Sequence, residues 1–183
     1  MLVDGVQRGI ESLVGAYQRY RLSARQLTLF RDAVARIKHG GVDVALFVPP
    51  LREYELELTR QTGHWDTFQQ WKRQLLAAAP YWDFSVYDAL ACADRFSSDA
   101  VHFSPAVGNT ILRLVLGEGC ARRGEEAQRI VQAAAWVDAR TVDRHLAAQD
   151  AERIARTREA TRYSRAVEDA IRSHQISVGE PGR

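Results

Sequence analysis

Val6, Ile10, Leu13, Val14 and Tyr17 recur with helical spacing, which predicts a helix from Val6 to Tyr20, weakened by Gly5, Gly9 and Gly15. Ser23 and Gln26 have the spacing of a capping box for the next helix, Ala24 to Lys38. Its apolar stripe is Leu27, Phe30, Val34 and Ile37, with Arg25, Arg31, Asp32 and Arg36 turned outward, and Gly40-Gly41 stops it. The pattern then changes. Val42 to Val48 is almost continuously apolar, broken only by Asp43, as suits a strand covered by helices on both faces. Pro49-Pro50 ends the run, because proline cannot continue the ladder. Leu51 to Arg60 and Thr67 to Ala79 return to a helical pattern, with a break at Gly63 and a stop at Pro80. Trp82, Phe84 and Val86 alternate with Asp83 and Ser85, which predicts a second strand from Trp82 to Tyr87. A helix, a glycine turn, a buried strand and a Pro-Pro exit describe a crossover unit of a parallel sheet.

Ser104 is a good N-cap and Pro105 suits the first helical position, so Ala106 to Gly117 reads as a well-marked helix. After Gly119 large apolar residues become sparse. Glu125 to Ala135 and Thr141 to Ser173 are rich in Ala, Arg, Glu and Gln, all strong helix formers. Val142, Leu146, Ile154, Tyr163, Val167 and Ile171 give a thin stripe, and Glu152–Arg156 and Glu168–Arg172 sit four residues apart, as on an exposed helix. Such a helix packs on a domain edge or seeks a partner helix. His145 and His174 are expected to be solvated there, and Gln175 to Arg183 to fray. The fold class expected is α/β. Residues 1–121 would form a partial sheet domain and residues 122–183 a helical extension.

Composition changes this picture little. The chain has 183 residues, 46% of them hydrophobic and 26% charged, enough for one domain with a real core. The net charge of +2 gives no global pull toward nucleic acid, and no basic run is interleaved with aromatics. Cys92 and Cys120 are too few for a disulfide scaffold and belong to no C-x-x-C pair. No signal-peptide pattern opens the sequence, and its apolar runs fall short of the ~20 residues that span a membrane, so the cytoplasm is the default expectation for this chain. Trp65, Phe68, Trp71, Tyr81 and Trp82 cluster in sequence; core packing is favoured over a sugar-stacking surface. No cofactor is expected. His39, His64 and Asp94 lack metal-ligand spacing, although His102 and Asp99 would make two ligands.

The chemistry concentrates before the capped helix. Asp99 and His102 lie three residues apart, and a carboxylate beside an imidazole is a general-base arrangement: the acid fixes the tautomer and stabilises the imidazolium. Such a base needs a nucleophile from elsewhere. A surface acid and imidazole ahead of a helix serve structure more often than chemistry. The stretch Asp99-Ala100-Val101-His102-Phe103-Ser104-Pro105-Ala106-Val107-Gly108 resembles the Asp-x-x-His block of SGNH hydrolases. Within them it is most similar to the envelope acyltransferase branch of alginate O-acetylation and D-alanyl transfer proteins. The resemblance spans about residues 24 to 117 and implies a partial three-layer, flavodoxin-like parallel sheet with flanking helices. It assigns His102 as base and Asp99 as its orienter in a serine esterase or O-acyltransferase, acting on an acylated small molecule or polysaccharide.

The rim at the carboxyl end of the Val42 to Val48 strand is where open α/β sheets place ligands. Pro50, Arg52 and Tyr54 are the substrate-binding candidates there. The family's Gly-Asp-Ser nucleophile block and its oxyanion-hole blocks have no counterpart before Val42. Losing one oxyanion donor typically costs ~100- to 1000-fold in rate. Ser97, Ser98 and Ser104 share the loop with His102 and are poorly placed to replace that nucleophile. The chain is therefore expected to be inactive alone. It would be a shortened product, a partner completing another polypeptide, or a rebuilt domain. The competing reading is a non-enzymatic interaction module, working as a homo-oligomer or with a completing polypeptide through an exposed sheet edge or the C-terminal helix.

Overall fold

The computed structural model describes residues 4–87, 102–117, 125–159 and 161–179. The Ser23 hydroxyl accepts from the Gln26 N–H at 3.3 Å and caps the second helix of the chain. The first helices are α1 (Asp4–Arg19) and α2 (Ala24–His39). Strand β1 (Leu46–Val48) comes next, then α3 (Glu53–Gln61), α4 (Trp65–Leu75) and β2 (Tyr81–Asp83). Beyond these lie α5 (Pro105–Val115), α6 (Glu125–Ala133), β3 (Ala135–Val137), α7 (Val142–Thr157) and α8 (Arg162–Gly179). The architecture is broadly α/β, predominantly helical around one small sheet.

The sheet has the order β1-β2-β3. β1 and β2 run parallel, with Phe47 opposite Trp82. β3 runs antiparallel to β2, with Trp82 opposite Trp136, so the sheet is mixed rather than wholly parallel. A three-residue strand carries no direction in its own sequence, and the helix-forming run Glu125 to Ala135 masks the start of β3. Both predicted strands are shorter than their apolar runs. Val42 is 56% exposed, and only Leu46 to Val48 find a partner strand. At β2, Asp83 Oδ1 accepts from the Ser85 N–H at 2.9 Å and from the Ser85 hydroxyl at 2.6 Å. That local turn competes with the ladder and ends the strand after Asp83.

Side chains alternate across the sheet. Val48, Tyr81 and Val137 point to one face, where they pack with Leu75 of α4 and Val142 and Leu146 of α7. Phe47 and Trp82 point to the other and pack with Phe84, Val107 and Ile111 of α5 and Ile130 of α6. A separate helical cluster joins Ile10 and Val14 of α1, Tyr54 and Leu58 of α3, and Tyr163, Val167 and Ala170 of α8. The opposite side of α3 adds Leu56 to Trp65 and Tyr87. Helix α3 is thus buried on both sides, its Glu55 and Glu57 included. The C-terminal helices are not solvated appendages: α7 covers a sheet face and α8 closes the α1–α3 cluster. None of the described helices is long and apolar enough to cross a membrane. Cys92 and Cys120 lie outside the described residues.

Candidate functional site

The helix after the Asp-x-x-His stretch forms as its cap predicts. Ser104 Oγ accepts from the Val107 N–H at 3.4 Å, and Pro105 occupies the first turn. Phe103 packs against the Phe84 cluster just past the carboxyl end of β2. A Cβ on Gly108 would come within 3.1 Å of the Phe103 ring, so the ring seats tightly under the helix and a larger residue at 108 would push it by a few tenths of an ångström. This anchor leaves His102 exposed at the start of the described segment. Asp99 lies outside the described residues.

The three rim candidates separate. Pro50 is buried directly after β1. Arg52 is the N-cap of α3 and only 4% exposed; its backbone N–H donates to Glu55 Oε2 at 2.9 Å, and its guanidinium lies 5.9 Å from the Tyr54 ring. Tyr54 is fully buried, tilted against Tyr163 of α8 at 6.2 Å between ring centres, so it faces the helical cluster. Burial, and next the nearby Glu55 charge, push its phenol above the ordinary range. Burial likewise raises the Glu55 carboxyl.

A buried polar network unforeseen in the sequence lies at the carboxyl end of β2. Asp83 and Lys72 are both fully buried, and Lys72 Nζ reaches Asp83 Oδ2 at 2.7 Å. The same oxygen meets His145 Nε2 at 2.9 Å and accepts from Gln149 Nε2 at 3.3 Å. Lys72 also donates to Gln149 Oε1 at 2.8 Å and lies 4.3 Å from the Phe68 ring centre. Burial alone would raise the Asp83 pKa. The Lys72 charge and the hydrogen bonds from His145, Lys72 and Ser85 outweigh it and hold the carboxyl well below its usual range. The group is saturated and enclosed. It ties α4, β2 and α7 together and has no open position for a substrate. Its only sequence signal is a lysine on the otherwise apolar side of α4.

Two neighbouring cavities flank β1. One, of about 640 Å³, runs beside Ala45 to Pro49 between the strand and Leu27 and Phe30 of α2. The other, of about 390 Å³, lies beyond the carboxyl end of β1, between α1 and the start of α4, under Tyr17, Tyr20 and His64. The aromatic run thus divides between core and cavity: Trp65 is core, while Phe68 and Trp71 are half-buried and line the second space. No group of described residues has the donors for a metal ion. Comparisons with protein-family models, curated proteins and solved structures found no match.

Proposed function

We propose that the chain supplies part of an SGNH-like acyl-transfer domain: a partial three-layer sheet and the proton acceptor His102, with the attacking serine coming from a completing polypeptide. The observation that carries this reading is the exposed His102 directly ahead of a Ser104–Pro105-capped helix, anchored through Phe103 beside the end of β2. The parallel β1–β2 pair with helices against both faces supports it. In the reaction, the serine oxygen attacks the acyl carbon as its proton passes to His102. The tetrahedral intermediate then expels the leaving alcohol, which takes that proton, and leaves the acyl group on serine. Asp99 orients the imidazole. Water or an acceptor hydroxyl next attacks the acyl-serine by the same proton path.

The first test is nuclear magnetic resonance of the His102 ring nitrogens in the full chain. Asp99→Asn should shift these resonances; unchanged signals would separate the two residues and remove the pair. The second is hydrolysis of p-nitrophenyl acetate. The chain alone and His102→Ala should both stay at background. An enzyme-level rate that His102→Ala abolishes would show that the chain carries its own nucleophile, and an enzyme-level rate that His102→Ala leaves unchanged would strip His102 of any role.

One observation favours a second reading, an interaction module that accepts a strand. Val48 C=O accepts from the Phe84 N–H at 3.0 Å, so alternation turns the Phe47 N–H and C=O to the outer edge of β1. No described strand pairs there, and the larger apolar cavity runs alongside. The C-terminal helix offers less, because Tyr163, Val167 and Ala170 bury its apolar face inside the molecule. A strictly monomeric particle at high concentration would count against strand addition by a second copy.

A further inference from the structure

We infer, resting on the strand-accepting reading above, that the groove of about 640 Å³ between β1 and α2 takes an extended, acidic segment of a partner protein, which joins the sheet beside β1. The edge supplies the backbone. Phe47 turns its N–H and C=O outward, and Ala45 and Pro49 on either side are exposed. Ala45 to Pro49 border the groove, a length that matches about five extended residues at ~3.3 Å each. The walls supply apolar contact for alternate side chains of such a segment: Leu27 and Phe30 of α2 line the space with Leu46, Trp71 and Leu75. Helix α2 is itself short of cover. Val34 is its one buried residue, while Leu29 is 50% exposed, Phe30 39% and Ile37 47%. With Ala33 these three share a helix face, and Phe30 joins that stripe to the groove. A contiguous exposed apolar stripe, unlike scattered single residues, marks an interaction surface.

The sign of the surrounding charge selects the partner. Helix α2 carries Arg25, Arg31, Arg36 and Lys38 against one acid, Asp32, which Arg31 already meets at 3.7 Å. The helix alone therefore holds more positive charge than the net +2 of the whole chain. Arg25 lies one turn before Leu29 and Arg36 one turn after Ala33, both exposed beside the apolar stripe and with no acidic partner among the described residues. Arg21 lines the groove itself and donates to the Tyr20 C=O at 2.7 Å rather than to a carboxylate. An acidic segment meets this field. A second copy does not, because pairing β1 with β1 would bring two basic helices toward each other. An anionic lipid surface would suit the basic stripe, but it neither enters a groove nor satisfies the outward N–H and C=O of Phe47.

The probe is a short fluorescein-labelled peptide of alternating Val and Glu, titrated with the full chain by fluorescence anisotropy. Its comparisons replace Glu by Gln or by Lys. The expected result is saturable binding of the Glu peptide, weaker for Gln and weakest for Lys, with the differences shrinking as salt is raised. Two further versions carry N-methyl groups on every Val or on every Glu, which removes the N–H groups from one edge of the peptide strand or the other. One version should lose binding and the other keep it. Phe30→Asp, at an exposed position in the groove wall, should abolish binding. Arg25→Glu combined with Arg36→Glu should weaken the Glu peptide about tenfold, the scale of two exposed ion pairs, and leave the Gln peptide unchanged. Equal affinity for all three peptides, with the one-edge N-methyl effect kept, would overturn the acidic partner and leave strand acceptance standing. No binding of any peptide, or the same loss from both N-methylated versions, would overturn both. Self-association that the Glu peptide does not displace would put a second copy in the groove and overturn the inference. So would binding to phosphatidylserine vesicles that Phe30→Asp abolishes while the Glu peptide stays unbound.

Discussion

Asp83 shows how far a single residue can depart from its local reading. In sequence it is one polar position in an alternating strand, and His145 is one of two histidines on a solvated helix. In the fold they meet at 2.9 Å across 62 positions of chain, with Lys72 on the same carboxylate oxygen. Removing one member of a buried charge pair strands the other, at a typical cost of ~3–5 kcal/mol. Asp83→Asn should therefore destabilise the protein by about that amount at pH 7 in urea unfolding. The sign with pH is fixed by the depressed folded pKa. The stabilisation is present above the unfolded value near ~4 and is lost as pH falls through the folded value, so the deficit of Asp83→Asn should shrink in acid. A deficit that stays constant down to pH 2 would show that Asp83 contributes only through its shape. No spacing rule announces such a pair. It becomes visible only once α7 is laid on the sheet.

At the scale of elements, legibility depends on whether the start and stop signals are local. The Ser104–Pro105 helix and the Ser23 cap of α2 are readable because each is decided by residues a turn apart. Ser104→Ala should cost about 1 kcal/mol, the usual value of an N-cap, and fray the turn beside His102. The strands are less readable, because an apolar run does not state how much of itself will pair. Only the last three residues of Val42 to Val48 join the sheet, and Ser85 folds back on Asp83 where alternation predicts more strand. The stop between α3 and α4 is again local. Gly63 has φ +78°, a left-handed conformation that costs other residues about 1–2 kcal/mol. Gly63→Ala should lower stability by that amount in thermal unfolding. An unchanged thermal midpoint would show that the turn does not require glycine at this position.

At the scale of the molecule, the question is whether residues 1–121 make a unit without residues 122–183. The sheet face that carries Val48 and Tyr81 is covered in part by Val142 and Leu146, and β3 holds one side of β2. His145 and Gln149 complete the polar shell of Asp83. On the helical side, Tyr54 and Leu58 of α3 are covered by Tyr163 and Val167 of α8. A fragment ending at residue 121 would expose both apolar faces and leave the Lys72–Asp83 charge pair without its hydrogen bonds from α7. The expected outcome is that it lacks a cooperative thermal transition and near-ultraviolet circular dichroism, while the full chain unfolds in one step. Leu58→Ala in the full chain tests whether the two clusters are separable. It should cost about 2–5 kcal/mol, and because α3 faces the α1–α8 cluster on one side and Trp65 on the other, the single transition should move as a whole. A split transition, with the sheet surviving the loss of the helical cluster, would mean that the two cores fold independently despite the helix they share.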